Sequence, residues 1–448
     1  MLGYYIELAI RSLRRNVALT VLMIAAVGVG IGASMTMLTT LRAMSGNPIP
    51  DKSSTLFVPQ IDIWGPDSRH EQSDDHLLDQ QSYRDAMALR RAYPSVRQTA
   101  MYAMRMDVSP AAGAAVKASP AKPFQASGRA AYRDFFGMFE VPFRSGGPWP
   151  VAQDEQRANV VVLSARLADR VFHGVDAIGR TLTLDARDYR VVGVLKPWNP
   201  LPRYYDLTQN AFANGEDFYL PFSTAIDRQI ESYGNNDCRT APRPGWEGRL
   251  TSDCVWLQFW VELPGAEAAR DYRAFLSNYA AEQRRSGRFS WPDRVELHDV
   301  SEWLVKERVV PDEAKVNTLI GVGVLAVCLI NAIGLMLAKL ASRTVDLGIR
   351  RALGGSRRDI FLQCLTETAV VGLLGGLLGL VLTAAGLAAD RALLAPVAKH
   401  VSLDGMTRLD AGMVGITLAV AVLATICAGL YPTWRASRVQ PALQLRGQ

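Results

Sequence analysis

The sequence lacks the common signatures of catalysis and of nucleotide binding. It contains no GxxxxGK[ST] loop, whose backbone amides and lysine hold nucleotide phosphates, and no GxSxG nucleophile elbow. Its five histidines are scattered without the spacing of metal ligands: His70, His76, His173, His298 and His400. The sequence therefore predicts no catalytic residue, no metal site and no cofactor bound by this chain.

Cysteine is also scarce, with five residues in 448. Cys328, Cys364 and Cys427 lie in or beside apolar runs, whereas Cys238 and Cys254 lie in a polar region. No CxxC or HxxxH spacing accompanies Cys238 and Cys254, which argues against a zinc site. In an oxidising compartment the pair could form a disulfide that stabilises the fold by about 3 kcal/mol. Two free thiols are the alternative.

Charge is absent from four stretches of 21 to 25 residues, at 17–41, 316–338, 369–389 and 411–431. A helix of roughly 20 residues crosses the hydrocarbon core of a bilayer, whereas helices of soluble proteins average about 11 residues. The sequence therefore predicts four transmembrane helices. The first stretch exceeds the apolar part of a secretory signal, and no small-x-small cleavage site follows it, so we interpret it as an uncleaved signal anchor.

The basic residues predict the orientation of these helices. Residues 1–16, 339–368 and 432–448 together hold twelve basic and four acidic residues, whereas residues 42–315 hold 34 basic and 36 acidic ones. The loop 390–410 is neutral, with three of each. By the positive-inside rule both termini are cytoplasmic, and the long insert and the short loop lie outside. The net charge of +6 then reflects topology, not nucleic-acid binding.

The long insert repeats one order of elements. A strand, a helix and a strand are predicted at 55–61, 78–93 and 98–106, and again at 254–262, 266–283 and 294–299. Between them, short strands are clearest at 160–163, 181–184 and 189–195. The predicted fold is an integral membrane protein with an α+β domain of two lobes, about 50–106 with 251–299 and about 107–250, the second inserted into the first.

Two further helices are predicted beside the membrane spans. The first sixteen residues form an amphipathic helix that suits the cytoplasmic membrane interface. Residues 300–315 are helical apart from Pro311, so the second span could extend outward as a stalk. By contrast, the Asp-rich stretch 73–79 lacks the EF-hand pattern and is predicted to be a solvated loop.

Within the spans, three GxxxG pairs allow close helix approach: Gly28 with Gly32, Gly372 with Gly376, and Gly375 with Gly379. Such pairs serve packing within one chain more often than dimer contact. Asn331 lies in the second span, where an unpaired amide is costly. We therefore predict that it forms a hydrogen bond with a neighbouring helix.

The cytoplasmic link between the second and third spans carries the most specific motif. An amphipathic helix is predicted at 343–353, broken by Gly354 and Gly355, with Ser356 capping the helix that continues into the third span. Such a helix would offer charge to a cytoplasmic partner. The alternative is a solvated loop whose charge only obeys the topology rule.

This link resembles a known family. Residues 346–359, DLGIRRALGGSRRD, resemble the EIGIRRALGASRRDI signature of the MacB/FtsX-type ABC permeases, with Asp346 and Gly355 as mild departures. The run GLLGGLLGLVL at 372–382 and the tail YPTWRASRVQPALQLR at 431–446 resemble the same family. The segment DAIGRTLTLDARDYRVVGVL at 176–195 is similar to its periplasmic core domain.

The resemblance implies how the chain would work. The two lobes would correspond to the family's porter and Sabre subdomains, and motion driven by ATP would pass along the stalks without a substrate path through the spans. The link would be the coupling helix that docks onto the nucleotide-binding subunit. Its coupling residues would be Arg343, Asp346, Gly348, Arg350, Arg351, Gly354, Ser356, Arg357 and Asp359.

The expected protein is thus a permease of the bacterial inner membrane, surrounded by lipid. Its expected partners are a dimer of a separate cytoplasmic ABC ATPase, which binds the ATP, and a second permease copy or paralogue. Efflux of a peptide, antibiotic or similar small molecule through a periplasmic adaptor and an outer-membrane channel is the leading function. Lipoprotein extraction and FtsX-like regulation of periplasmic enzymes are alternatives, and a sensor without an ATPase is a third.

Overall fold

The computed structural model describes residues 2–65, 77–109, 122–343, 349, 354, 356–394 and 411–437. The chain divides into two compact units. One, called here the helical unit, comprises Met1–Ser45 and Val310–Gln448. The other, called the insert domain, comprises Gly46–Val309. This division agrees with the predicted insertion of a large domain between the first and second apolar helices.

The helices of the described residues follow in chain order: α1 (Leu2–Arg15), α2 (Val17–Ser45), α3 (Tyr83–Ala92), α4 (Asp134–Met138), α5 (Val151–Glu155), α6 (Ala165–Phe172), α7 (Phe222–Asp227), α8 (Trp246–Leu250), α9 (Ala266–Arg285), α10 (Val300–Lys306), α11 (Asp312–Ala341), α12 (Arg357–Leu394) and α13 (Ala411–Ser437). Of these, α2, α11, α12 and α13 are long and apolar enough to cross a membrane, as the sequence predicted. The predicted break near Pro311 separates α10 from α11, because proline suits the start of a helix better than its interior.

The strands belong to the insert domain: β1 (Leu56–Ile61), β2 (Gln81–Ser82), β3 (Gln98–Ser109), β4 (Phe124–Ala131), β5 (Phe143–Gly146), β6 (Val160–Leu163), β7 (Thr181–Leu184), β8 (Arg187–Leu195), β9 (Phe218–Pro221), β10 (Val255–Glu262) and β11 (Val295–Asp299). They form one mixed sheet in the order β11-β1-β10-β3-β4-β9-β6-β8-β5, with β2 beside β10 and β7 beside β3 and β8. The first four strands of this order are all antiparallel to their neighbours. The two predicted strand-helix-strand segments therefore interleave as a split β-α-β arrangement.

The inserted segment continues the same sheet. Strands β4 to β9 come from the chain between β3 and β10, and β4 pairs antiparallel with β3 over eight residue pairs, from Met101↔Ala131 to Val108↔Phe124. Both faces of the sheet are covered, since alternate residues such as Met101 and Tyr102 point into different hydrophobic clusters. The two predicted lobes thus share a continuous sheet and a double-sided core.

In the helical unit, the predicted GxxxG pairs lie where helices of this chain meet. A Cβ atom added at Gly379 on α12 would lie 2.6 Å from Cγ2 of Ile31 on α2, and one at Gly32 would lie 2.7 Å from Cβ of Leu382. On the other face of α12, a Cβ atom added at Gly376 would lie 2.8 Å from Cβ of Ala421 on α13. These glycines serve packing within the chain, which was the preferred interpretation of the sequence.

We expect Gly379→Leu to disrupt this packing and lower the thermal stability of the helical unit by about 1–3 kcal/mol, the usual cost of overpacking. The matched control is Gly323→Leu on α11, where an added Cβ meets nothing within 4 Å. The temperature of aggregation of the detergent-purified chain would report both effects. Equal losses in the two variants would contradict the assigned helix contact.

One prediction for the spans is not met within this chain. Asn331 is exposed on α11, and it forms no hydrogen bond with another residue that the structure describes. The reason is that α11 packs against its neighbours on one side only. In an apolar stretch of 18 residues taken from each helix, 6% of the stretch is buried in α11 and 44% is buried in α2. Leu319, Val327 and Ile330, with exposed fractions of 71, 58 and 66%, mark this outward face.

Candidate functional site

The predicted coupling segment is described mainly at its two flanks. Arg343 follows the end of α11, and Ser356 precedes the start of α12. Asp346, Gly348, Arg350 and Arg351 lie outside the described residues, as does most of the predicted helix 343–353. Between the flanks, Gly354 has a φ of +101°, a left-handed conformation that glycine adopts without strain. This conformation fits the predicted break before α12.

Ser356 caps α12 as the sequence predicted. Its hydroxyl oxygen accepts the backbone N–H of Asp359 at 3.2 Å, and the Asp359 carboxylate in turn accepts the backbone N–H of Ser356 at 3.1 Å. This reciprocal pair satisfies two donors that the start of a helix otherwise leaves free. The Asp359 carboxylate also lies in the first turn of α12, where the partial positive charge at the helix N-terminus stabilises a negative group. Ser356, Arg357 and Asp359 are all exposed, so this flank is available to a partner.

A buried charge cluster joins the helix ends on either side of the link. Glu367 on α12 forms ion pairs with Lys339 on α11 and with Arg343. The distance from Arg343 Nη1 to Glu367 Oε2 is 3.6 Å. Lys339 is 3% exposed and Glu367 is 6% exposed. Because charges buried this deeply need partners, the cluster fixes the end of α11 against the third turn of α12.

The same cluster holds the amphipathic helix α1. The Ser12 hydroxyl donates to Glu367 Oε2 at 2.5 Å, and the Arg343 guanidinium donates both to that hydroxyl and to the Ser12 carbonyl. Lys339 Nζ also donates to Thr20 Oγ1 of α2 at 3.3 Å. Four helices therefore meet at one network, called here the Glu367 cluster: Ser12, Thr20, Lys339, Arg343 and Glu367. Arg343 is the only predicted site residue in it.

In the insert domain, Cys238 and Cys254 form a disulfide with an S–S distance of 2.00 Å. The bond lies next to a backbone pairing in which Asp237 and Val255 exchange two hydrogen bonds of 3.1 and 2.8 Å. Together they fix the loop between α7 and α8 to the start of β10. No group of three or more metal-binding side chains was found among the described residues.

A second buried charge cluster, which the sequence analysis missed, lies in the core of the insert domain. Arg129 on β4 is fully buried and forms ion pairs with Asp206 and with Glu216, at 2.7 Å for the latter. Arg203 lies 3.5 Å from Glu216 and balances the charge. The Tyr205 hydroxyl donates to Glu216 at 2.7 Å. A single arginine in the run of small residues FQASGRAA was the available signal.

The carboxyls of this cluster have shifted pKa values. Burial alone would raise the pKa of Asp206 and of Glu216, but the guanidinium groups of Arg129 and Arg203 hold both values below the usual range. Both carboxylates therefore remain ionised in the core at neutral pH. The cluster contains two positive and two negative groups, so it carries no net charge.

The Asp-rich stretch 73–79 differs from its prediction where it can be seen. Residues 73–76 lie outside the described part of the chain. Asp79, however, is half-buried, and burial raises the pKa of its carboxyl to about 6. The prediction of a solvated loop is therefore wrong for Asp79. The side-chain amide of Gln60 on β1 donates to the backbone carbonyls of the two preceding residues, Leu77 and Leu78, and so holds this segment against the sheet.

Comparison with known families and proteins adds independent evidence. Residues 20–274 match the MacB-like periplasmic core domain, and residues 318–441 match the FtsX-like permease C-terminal domain. A macrolide export ATP-binding/permease protein, MacB, of Syntrophobacter fumaroxidans is 25% identical over 351 residues, which is 70% of this chain and 46% of that protein. The MacB of Escherichia coli K12 is 25% identical over 253 residues, 56% of this chain and 34% of that protein. The chain thus spans less than half the length of these relatives.

Solved structures similar to this chain are those of isolated domains. The periplasmic region of MacB from Actinobacillus actinomycetemcomitans matches 60% of this chain and 98% of its own length, with 14% identity and a TM-score of 0.35. The extracellular domain of the noncanonic ABC-type transporter YknZ from Gram-positive bacteria matches 54% of this chain and 99% of its own, with 9% identity and a TM-score of 0.33.

Proposed function

The chain belongs to the MacB/FtsX-type family of ABC transporter permeases, and from this membership we propose that it transmits ATP-driven motion from a separate ATPase to its periplasmic insert domain. In this proposal both termini and the 343–359 link are cytoplasmic, and the link docks onto a dimer of the ATPase. The transmitted motion drives efflux of a peptide, antibiotic or similar small molecule with the help of a periplasmic adaptor and an outer-membrane channel.

The Glu367 cluster is the observation that carries this proposal. A partner that displaces the link pulls on the helix ends at both of its flanks, and Glu367 ties those ends to each other and to α1. A displacement at the link therefore moves α1, α11 and α12 together instead of bending one helix. Since α11 follows α10 in the chain, the motion has a covalent route into the insert domain.

We further propose that two permeases work side by side, either two copies of this chain or this chain with a paralogue. The outward face of α11 supports this arrangement, because it presents the exposed Asn331 among apolar residues. An amide in lipid is unfavourable without a hydrogen-bond partner. A second helix packed on this face would supply one.

Two other functions fit the same architecture. Lipoprotein extraction needs the same four-span plan and the same ATPase coupling, and it differs in the cargo. An FtsX-like regulator of periplasmic enzymes would use the motion without moving cargo, but its external domain is much smaller than the 264 residues of Gly46–Val309. The size of the insert domain therefore favours transport.

Reversing the charge of the link tests the coupling. We expect the double variant Arg350→Glu/Arg351→Glu to lose the ATPase partner during purification and to lose transport-dependent activity, because the docking surface would change by four charges. Lys315→Glu, which changes an exposed residue at the opposite end of α11, is the matched control. An unchanged yield of ATPase and unchanged activity with the double variant would contradict docking through this link, and the absence of any ATPase from the wild-type preparation would support a sensor that acts without ATP.

A further inference from the structure

A groove in the helical unit runs between α11 and α13 and ends at the Glu367 cluster. Its floor consists of buried apolar residues, among them Val27 on α2 and Val371 on α12. Its two sides consist of residues that are only half-buried, such as Ile333 on α11 and Ala428 on α13. Since both helices are long and apolar enough to cross a membrane, the open side of the groove faces hydrocarbon. The groove can therefore admit an apolar chain from the bilayer.

The length of the groove matches one leaflet of a bilayer. Along α11 its lining extends from Leu329 to Arg343, which at the helical rise per residue is about 21 Å. The uncharged stretch of α11 ends at Ala338, so Arg343 lies about 7 Å beyond it. One leaflet contributes about 15 Å of hydrocarbon and about 5–7 Å of headgroup. The apolar part of the groove therefore lies at the depth of the acyl chains, and Arg343 lies at the depth of the headgroups.

The headgroup end of the groove carries an excess of positive charge. Lys339, Arg343 and Glu367 all line it, so two cations share one carboxylate. Within the described part of the chain, no second carboxylate forms an ion pair with either cation. One positive charge is therefore left unbalanced next to an apolar groove, and a singly charged anion would balance it.

Arg343 is the cation that a headgroup can reach. Its side chain is 13% exposed, whereas that of Lys339 is 3% exposed. Lys339 also holds one oxygen of Glu367 directly, and Arg343 lies 3.6 Å from the other. The Arg343 guanidinium donates to the hydroxyl and the carbonyl of Ser12, which fixes its position at the mouth of the groove. A phosphate there would meet a charged donor that is already oriented.

We propose that this groove binds one anionic phospholipid, with an acyl chain between α11 and α13 and the phosphate next to Arg343. The acyl chain covers the half-buried sides of the groove, and the phosphate balances the unpaired positive charge at its end. A zwitterionic lipid offers the same acyl chains but no net charge, so the charge of the headgroup decides the preference. The proposal does not depend on ATPase coupling, because all of the residues involved belong to the helical unit.

Native mass spectrometry of the full detergent-purified chain tests the preference for an anionic headgroup. The delipidated chain is titrated with palmitoyl-oleoyl phosphatidylglycerol and, separately, with the phosphatidylcholine that has the same acyl chains. We expect the first phosphatidylglycerol to bind at least about tenfold more tightly than the first phosphatidylcholine, the usual effect of a charge-assisted contact. Equal affinities for the two lipids, or no saturable first site for phosphatidylglycerol, would overturn the proposal.

A matched pair of substitutions on α11 locates the acyl chain. Ala332 lines the groove, so Ala332→Phe places a ring in the path of the chain and should weaken the first phosphatidylglycerol at least about tenfold. Ala326→Phe, at an exposed position of the same helix outside the groove, should leave the affinity unchanged. Wild-type affinity in Ala332→Phe, or an equal loss in Ala326→Phe, would overturn the assignment of the groove.

A second pair of variants locates the phosphate. Arg343→Gln keeps a polar side chain but removes the charge, and should reduce the preference for phosphatidylglycerol over phosphatidylcholine to about twofold or less. Lys315→Gln, an exposed cation near the opposite end of α11, should retain the full preference. An undiminished preference in Arg343→Gln would overturn the proposal, and Ala332→Phe tests the same site if Arg343→Gln fails to fold.

Discussion

Replacement of Arg129 by methionine is expected to destabilise the insert domain by about 3–5 kcal/mol, the cost of breaking a buried ion pair from one side. The fully buried guanidinium balances Asp206 and Glu216, and Arg203 alone cannot neutralise both carboxylates. Thermal unfolding followed by tryptophan fluorescence would measure the loss. Eight of the nine tryptophans lie in this domain, so the signal reports on it.

The matched control is Arg144→Met. Arg144 forms an ion pair of the same chemistry with Asp169 at 2.9 Å, but the two side chains are 43 and 55% exposed. Exposed pairs contribute about 0–1 kcal/mol, so the control should unfold close to the wild type. Similar unfolding temperatures for the Arg129 and Arg144 variants would contradict the role assigned to the buried cluster.

The effect of Arg129→Met should also depend on pH. In the wild type the pKa values of Asp206 and Glu216 are lowered, so their contribution to stability is present above the unfolded-state pKa, near 4, and is lost as pH falls through the folded values. Without Arg129, burial would raise these pKa values. As the pH falls, protonation of the two carboxyls would then remove the unpaired negative charge that destabilises the variant. The difference in unfolding temperature between variant and wild type should therefore shrink from pH 8 to pH 5.

Replacement of Glu367 by glutamine is expected to lower the free energy of unfolding of the helical unit by about 1.5–3 kcal/mol. We also expect it to abolish coupled ATPase activity in the assembled transporter. The change leaves Lys339 and Arg343 without their carboxylate, and it replaces the charged acceptor of the Ser12 hydroxyl by an amide that has one neutral acceptor oxygen. The aggregation temperature of the detergent-purified chain would report the loss of stability, and ATP turnover by the complex would report the loss of coupling.

A second substitution shows whether the unpaired charge is the cause. Lys339→Gln in the Glu367→Gln background removes one of the two stranded cations and should restore part of the lost stability. Glu313→Gln, at an exposed position near the start of α11, is the control for the chemistry of the substitution and should have little effect. A double variant less stable than Glu367→Gln alone would rule out an ion pair between Lys339 and Glu367.

The elements that the sequence predicted well are those with strong local signals. Four uncharged stretches became four long helices, since an apolar run of this length has few other stable structures. The strands β6 and β7 were predicted to the residue, because β-branched and apolar residues alternate or cluster between clear turn signals. Ser356 was predicted as a cap because a serine before a helix offers its hydroxyl to the first turn.

What the sequence did not predict depends on contacts between distant residues. The Glu367 cluster joins Ser12 to Glu367 across 355 positions, and the Arg129 cluster joins β4 to a segment nearly 90 positions later. Each member is an ordinary charged or polar residue in its local context, so no pattern marks it. Asn331 was misjudged for a related reason: its hydrogen bonding depends on which face of α11 meets a neighbour, and a nearly uniform apolar helix does not reveal that face.

We propose that this permease is driven by an ATPase on a separate polypeptide. The most direct measurement is to extract the tagged chain from its native membrane in mild detergent and to identify by mass spectrometry what purifies with it in stoichiometric amount. We expect a Walker-motif ATPase, together with a second permease if the pair is a heterodimer. Repeated recovery of the chain alone, under conditions that keep other ABC complexes intact, would contradict the coupling role of the 343–359 link.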